Sequence, residues 1–272
     1  MSNNLPAPVD QAPQSASEFD GLWTDLRRLT AARIGQRTVG ASLATAPLLE
    51  FKLAHARARD GVHESLDVPR LIADIETLGV AAVDVASAAD DRQRYLMRPD
   101  LGRRLAPGAE SRLVPHAANH DIAFVVADGL SARAVQTHAQ PVLARVLPTL
   151  RADGWSIAPI IVVRHGRVAI GDQIAGLIGT RCVAVLIGER PGLTAPDSMG
   201  AYLTWQPGPQ TTDADRNCIS NIRPDGVGYE NAAQNIAHLL RAMRTERISG
   251  VKLKNDSDRA SIGAAPNAGR QT

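Results

Sequence analysis

The sequence predicts an α/β fold: a doubly wound, mostly parallel sheet preceded by a smaller helical N-terminal region. Two observations carry this. Beyond Asp121, continuous apolar runs alternate with segments of helical pattern; before about residue 110, apolar residues recur at helical spacing. Runs that are apolar throughout suit parallel strands covered on both faces. Helical crossovers between such strands give a Rossmann-like winding.

Taken in order, residues 1–20 are rich in Pro, Ser, Ala, Asn and Gln and read as a disordered leader. Residues 21–110 form the helical region. Leu22, Leu26, Leu29 and Ile34 fall near one helical face, as do Leu71, Ile72, Ile75 and Leu78. The second helix has Ser65 or Asp67 as its cap, Pro69 in an early turn and Gly79 as its stop. The stretch 95–118 is punctuated by Pro and Gly and reads as a connection between domains.

Residues 111–253 form the α/β domain. Its first strand ends at Asp128-Gly129, with Ser131 placed to cap the following helix. Pro141 and Pro148 are expected to interrupt or restart that helix. A second strand covers 157–163, a short helix 171–178 closes at Gly179, and a third strand covers 182–188. AYLTW at 201–205 suggests an edge strand. A closing helix over 229–244 turns Ala233, Ile236, Leu239 or Leu240, and Met243 inward. Residues 254–272 read as a second disordered tail.

Composition narrows the function classes. Thirty basic against twenty-eight acidic residues is too even to point to nucleic acid or a membrane surface. With 3% aromatic residues the chain offers few stacking platforms for single strands. Seven basic against three acidic residues in 21–60 read as a solvated helix face rather than a binding patch. Two cysteines make no disulfide framework and no zinc spacing. No apolar run approaches the ~18 residues of a membrane span, and a secretory signal is not apparent, so a cytoplasmic protein is expected.

In open parallel sheets ligands collect beyond the carboxyl ends of strands. Three segments are expected there: 128–131, 164–168 and 188–193. The last places Glu189 and Arg190 directly after a buried strand, between Gly188 and Gly192 with Pro191 stiffening the turn. On chemistry alone this pair is equally a ligand contact or a solvated loop pair. GxGxxG and GxxxxGK[ST] are both missing. His165 reads as an exposed turn residue. His116 and His120, spaced as on one helical face, lack the carboxylate or cysteine company of a metal site. Cys182 reads as a core residue, and Cys218 as a loop thiol with no histidine beside it in sequence. Strand–helix alternation alone would also fit a free-standing flavin or nucleotide module. The tails and basic helices would fit a scaffold protein.

Several blocks occur together: VVADGLS, VRHGRVAIGDQIAGLIG, LIGERPGL, DSMGAYLTW, ADRNCISNIR and GYENAAQNIAHLL, with DLRRLTAARIG and YLMRPDLGRRL upstream. In this order they resemble the small subunit (light chain) family of ethanolamine ammonia-lyase over roughly residues 20–252. The resemblance implies an adenosylcobalamin-dependent carbon–nitrogen lyase subunit, active only with a large subunit. That subunit binds ethanolamine and performs radical deamination to acetaldehyde and ammonia, in a hetero-oligomer with several copies of each chain. It implies cofactor contacts at Val168, matching a corrin-contacting valine, at Glu189 in Gly188-Glu189-Arg190-Pro191, and at Cys218 in Asn217-Cys218-Ile219-Ser220. No catalytic or metal-ligating residue is expected on this chain. A D-x-H-x-x-G motif is missing, in keeping with a family that binds the cofactor base-on. Some relatives are directed into a bacterial microcompartment by their leader; here the leader has little amphipathic pattern.

Overall fold

The computed structural model describes residues 16–253, with side chains from residue 21 onward. Most of what was read as leader, and the tail from residue 254, lies outside the described residues; Ala16 already begins a helix. The chain divides into two compact units, Met1–Arg57 and Ala58–Thr272.

The first unit holds α1 (Ala16–Leu29) and a short antiparallel hairpin, β1 (Thr38–Val39) with β2 (Ser42–Leu43). It also holds the start of α2 (Thr45–His63). Ile34 does not continue the first helix, as its spacing had suggested. It follows the helix end, where its carbonyl accepts a hydrogen bond from Arg27 Nε at 3.1 Å.

The second unit is built on a six-stranded sheet. Its strands are β3 (Ala82–Ala86), β4 (Ile122–Ala127), β5 (Ile160–Arg164), β6 (Cys182–Gly188), β7 (Met199–Trp205) and β8 (Arg216–Ile222), in the spatial order β3-β5-β4-β6-β7-β8. The first four in that order run parallel; β7 and β8 are antiparallel to their neighbours. The sheet is therefore α/β and mixed. It recruits β3 from the stretch read as helical, and that strand escapes the sequence because only Val85 of its five residues is buried. AYLTW lies in β7, which is not an edge, since β8 pairs beyond it.

Helices cover both faces. On one face α3 (Val68–Glu76), α6 (Ala132–Ala152) and α8 (Tyr229–Glu246) pack against Phe124, Val126, Val162, Ala184 and Leu186. On the other face α7 (Ile170–Ile178) and α5 (Glu110–Leu113) pack against Val125, Ile161, Val163, Val183 and Val185. Period-two alternation along each strand explains the division, because neighbouring side chains point to opposite faces. The expected caps hold: Asp67 accepts from Arg70 N, Ser131 from Ala134 N, and Gly179 closes α7 at φ +76°. Ala233, Ile236, Leu239, Leu240 and Met243 are all buried.

Helix α6 runs unbroken through Pro141 and Pro148, against expectation. Each proline removes the amide that would bond the carbonyl four residues earlier. Pro148 and Thr137 are exposed and Pro141 and Ala144 half-buried, so the freed carbonyls lie on the side of the helix that water reaches. Meanwhile Val142, Leu143, Val146, Leu147 and Leu150 are buried and hold the helix to the sheet.

An ion pair fastens the antiparallel edge to the helical layer. The Arg216 guanidinium, at the start of β8, donates to both Asp172 oxygens on α7, at 2.8 and 2.6 Å, and to Thr204 Oγ1 at 3.2 Å. Both partners are almost wholly buried. Removing one charge from such a pair strands the other in low dielectric. Arg216→Met should therefore cost about 3–5 kcal/mol, read as a lower urea midpoint; an unchanged midpoint would show that the pair contributes nothing.

Candidate functional site

The three segments expected beyond the strand ends do converge. β4 lies between β5 and β6, its chain leaving toward β5 through α6 while that of β6 leaves toward β7. Adjacent strands whose connections diverge open a crevice at their carboxyl ends. A crevice of ≈ 390 Å³ lies there. Gly129 and Leu130 line it from after β4, Arg167 and Val168 from after β5, and Gly188, Glu189 and Arg190 from the end of β6; Tyr95 and Tyr202 complete the wall.

Two glycines let the strand ends approach this closely. Gly129 has φ +54°, a left-handed conformation that favours glycine, and a Cβ there would strike the Gly188 carbonyl. A Cβ on Gly188 would in turn strike the Ser131 and Asp128 carbonyls. The Leu130 amide donates to the Gly188 carbonyl at 2.9 Å, joining the two turns.

Asp128 is the buried carboxylate beneath them. It accepts from the Gly166 amide at 3.2 Å and faces Arg92 Nη1 at 3.6 Å. Arg92 sits on α4 (Arg92–Met97) and also donates to the Gly129 carbonyl at 2.7 Å and the Val62 carbonyl at 2.6 Å. Burial pushes the Asp128 carboxyl up, against the opposing pull of Arg92. The Tyr95 ring packs nearby, with the Arg92 and Arg167 guanidiniums 4.9 and 4.2 Å from its centroid. Its hydroxyl donates to the Gly166 carbonyl at 3.1 Å.

Of the three residues singled out from sequence, Val168 and Glu189 both line the crevice. Cys218 lies just outside its wall. It is not a loop residue: it sits on β8, paired in register with Tyr202. Lost hydration pushes its thiol up, which opposes any thiolate nucleophile. Glu189 is not a free loop carboxylate either. Its side chain accepts from the Ser220 hydroxyl and from the Asn221 amide at 3.2 Å, latching the turn after β6 to the edge strand. A carboxylate has about four acceptor sites, so capacity remains toward the crevice.

Tyr95, Tyr202 and Arg92 were missed. Tyr95 was assigned to a connection, yet it is fully buried and bonds a residue 71 positions away. No local pattern announces such a contact. The other candidates take structural places. His165 is half-buried, stacked on Tyr95, with Nδ1 3.0 Å from the Ala89 carbonyl. His116 ends a 3-10 turn and His120 lies beyond it, so no helix aligns the two. Cys182 is a core residue whose thiol burial pushes up to about 12.

Residues 20–254 match the family model described as "Ethanolamine ammonia-lyase light chain (EutC)". The chain belongs to the ethanolamine ammonia-lyase light-chain family. Relatives named ethanolamine ammonia-lyase small subunit include one from Azotobacter vinelandii, 49% identical over 89% of this chain and 92% of its own length. Another from Ralstonia nicotianae is 48% identical over 94% and 93%. A third from Pseudomonas paraeruginosa is 47% identical over 91% and 92%. The matched region includes all three strand-end turns. Among the described residues no group of three or more His, Cys, Asp or Glu is placed to hold a metal ion, and no helix is long and apolar enough to cross a membrane.

The chain between Glu189 and β7 carries Asp197, which faces the buried His138 of α6. This histidine is 2% exposed, with Nδ1 2.9 Å from the Tyr229 hydroxyl and Nε2 3.9 Å from Asp197. Burial lowers its pKa, Asp197 raises it, and Arg223 lowers it further. A histidine whose folded pKa lies below its unfolded value binds fewer protons when folded. Stability should thus be full above about 6.5 and fall as pH drops below that value. Unfolding midpoints measured from pH 7.5 to 5 should fall more steeply for the native protein than for His138→Gln; parallel curves would remove His138 as the cause.

Proposed function

We propose that this chain is the small subunit of an adenosylcobalamin-dependent ethanolamine ammonia-lyase, clamping the cobalamin against a large catalytic subunit. The observation carrying this is the convergence of Val168 and Glu189 in one crevice at the strand ends, with Cys218 at its edge. Membership of a family whose relatives are named small subunits supports a larger partner.

The residues present fit such a cofactor. Pockets that enclose a drug-sized ligand run to roughly 300–1,000 Å³. A corrinoid with its nucleotide loop is larger than that, so a crevice of ≈ 390 Å³ would take one side of it and leave the rest to a partner. The wall combines apolar surface from Val168, Leu130 and Ile187 with a carboxylate from Glu189 and guanidiniums from Arg167 and Arg190. That donor and acceptor mixture suits a macrocycle with an apolar face and a rim of amides. The absence of a D-x-H-x-x-G motif fits base-on binding, which needs no histidine from the protein.

When bound, the cofactor would supply the radical that starts deamination of ethanolamine to acetaldehyde and ammonia. The roles of this chain are orientation and shielding. Val168 would press its apolar side chain on the macrocycle and exclude water. Glu189, held in place by Ser220 and Asn221, would accept hydrogen bonds from rim amides. Cys218, beside Tyr202, would contribute packing and backbone. No proton transfer is assigned to the three. The assembly would hold several copies of each chain, in the cytoplasm or in a bacterial microcompartment.

Co-expression with the cognate large subunit should yield a complex that releases ammonia from ethanolamine only with adenosylcobalamin. Full activity of the large subunit alone would remove the clamping role. Within the complex, Glu189→Gln should raise the Kd for adenosylcobalamin about tenfold, the scale of losing a charge-assisted hydrogen bond. Assembly should persist by size-exclusion chromatography. An unchanged Kd would take Glu189 out of the cofactor site.

A further inference from the structure

Arg167 lies between His165, which reads as a turn residue, and Val168, the expected cofactor contact, and neither assignment gives it a role. Its surroundings do. Arg167 lines the crevice at the strand ends and, like Val168, also a second cavity of ≈ 400 Å³, whose wall includes Pro99, Arg103, Thr212, Asp213 and Arg216.

The side chain is placed with unusual firmness. The Arg167 amide donates to the Gly102 carbonyl at 2.7 Å. A Cβ on Gly102 would come within 2.8 Å of Arg167 Cγ and 2.9 Å of Tyr95 Cε2, so only glycine leaves room for the stem. The guanidinium carbon rests 4.2 Å from the Tyr95 ring centroid, in cation–π range.

Its donors are nevertheless unspent. A guanidinium carries five N–H groups. Arg167 uses one of them, Nη2 to the Tyr95 carbonyl, in a long bond of 3.4 Å. Its Nε is buried and has no partner. Arg216 and Arg92 also each have one buried nitrogen without a partner, but each faces a buried carboxylate, Asp172 or Asp128. Among the described residues no ion pair engages Arg167. A half-buried guanidinium whose Nε is cut off from water with no acceptor is unfavourable unless a ligand supplies one.

We propose that Arg167 is a ligand-binding residue, donating to an acceptor oxygen of the molecule that fills the crevice. The inference rests on the cobalamin reading above. Two kinds of oxygen on that cofactor share the required chemistry: the carbonyl of a side-chain amide on the macrocycle, and the phosphodiester of the nucleotide loop. Firm placement on Tyr95 makes the fork a fixed gauge for one of them, a task that lysine, a point charge on a flexible stem, performs poorly.

The test uses the complex with the large subunit and absorbance titrations with cobalamin and with cobinamide, which lacks the phosphodiester and the base. Arg167→Met should raise the Kd for cobalamin about tenfold or more, with assembly and unfolding midpoint little changed. Arg167→Lys should recover only part of the loss. If cobinamide binding weakens equally, the oxygen is an amide carbonyl; if only cobalamin weakens, it is the phosphodiester. Should Arg167→Met fail to assemble, Arg167→Lys, which keeps the stem over Tyr95, carries the same comparison. Native binding of both corrinoids with no change in either variant would overturn the role of Arg167 alone. A native complex that bound neither corrinoid would overturn the cobalamin reading with it.

Discussion

The crevice depends on one buried carboxylate. Asp128 stands where β4 ends, in contact with groups from two other stretches of chain, the Gly166 amide after β5 and the Arg92 guanidinium on α4, and Arg92 also bonds the Gly129 carbonyl in its own turn. Burying a carboxylate is unfavourable unless its oxygens are matched. The same low dielectric that makes an unmatched charge costly makes the matched arrangement stiff. The turns after β4 and β5 and the start of α4 are therefore tied to one point. The glycines at 129 and 188 then let the strand ends close to backbone contact, leaving open space above rather than between them.

A second constraint comes from the antiparallel side of the sheet. β7 and β8 extend the sheet beyond β6, so the turn after β6 has a strand to lean on. Glu189 takes that support from Ser220 and Asn221, and Arg216 anchors the same strand to α7. The two links act at opposite ends of β8 and hold it against twisting away. Cys218 sits between them, so its place on the strand beside Tyr202 is fixed from both sides. The mixed sheet is thus part of the site's construction, not an appendage to a parallel core.

Much of this was legible from residues. IAFVVA, IIVV and CVAVLIG announce buried parallel strands by being apolar throughout, and the rule that ligands gather at strand ends picked out the three turns that meet. Ser131, Asp67 and Gly179 were readable because capping is local chemistry. β3 and β8 were not readable. Their few buried residues, Val85 in one and Arg216, Ile219 and Ile222 in the other, break the run that would mark them. The prolines of α6 misled because their position on the outer side of the helix depends on what the inner side packs against.

Determined by the sequence alone were the α/β class, three of the four parallel strands, the helix caps, the family blocks and the turns on which Val168 and Glu189 stand. These follow from periodicity and from interactions within a few residues, which any short window contains. Only the tertiary structure decided that Asp128 joins the turns, that Tyr95 lies under the guanidinium of Arg167, that Glu189 is latched to β8, and that Cys218 lies on a strand. The first three of these pair residues some thirty to seventy positions apart, and Cys218 is placed by a register with Tyr202 on a neighbouring strand. Such contacts arise from how the elements stack to exclude water, and no stretch of sequence a single turn long contains that information.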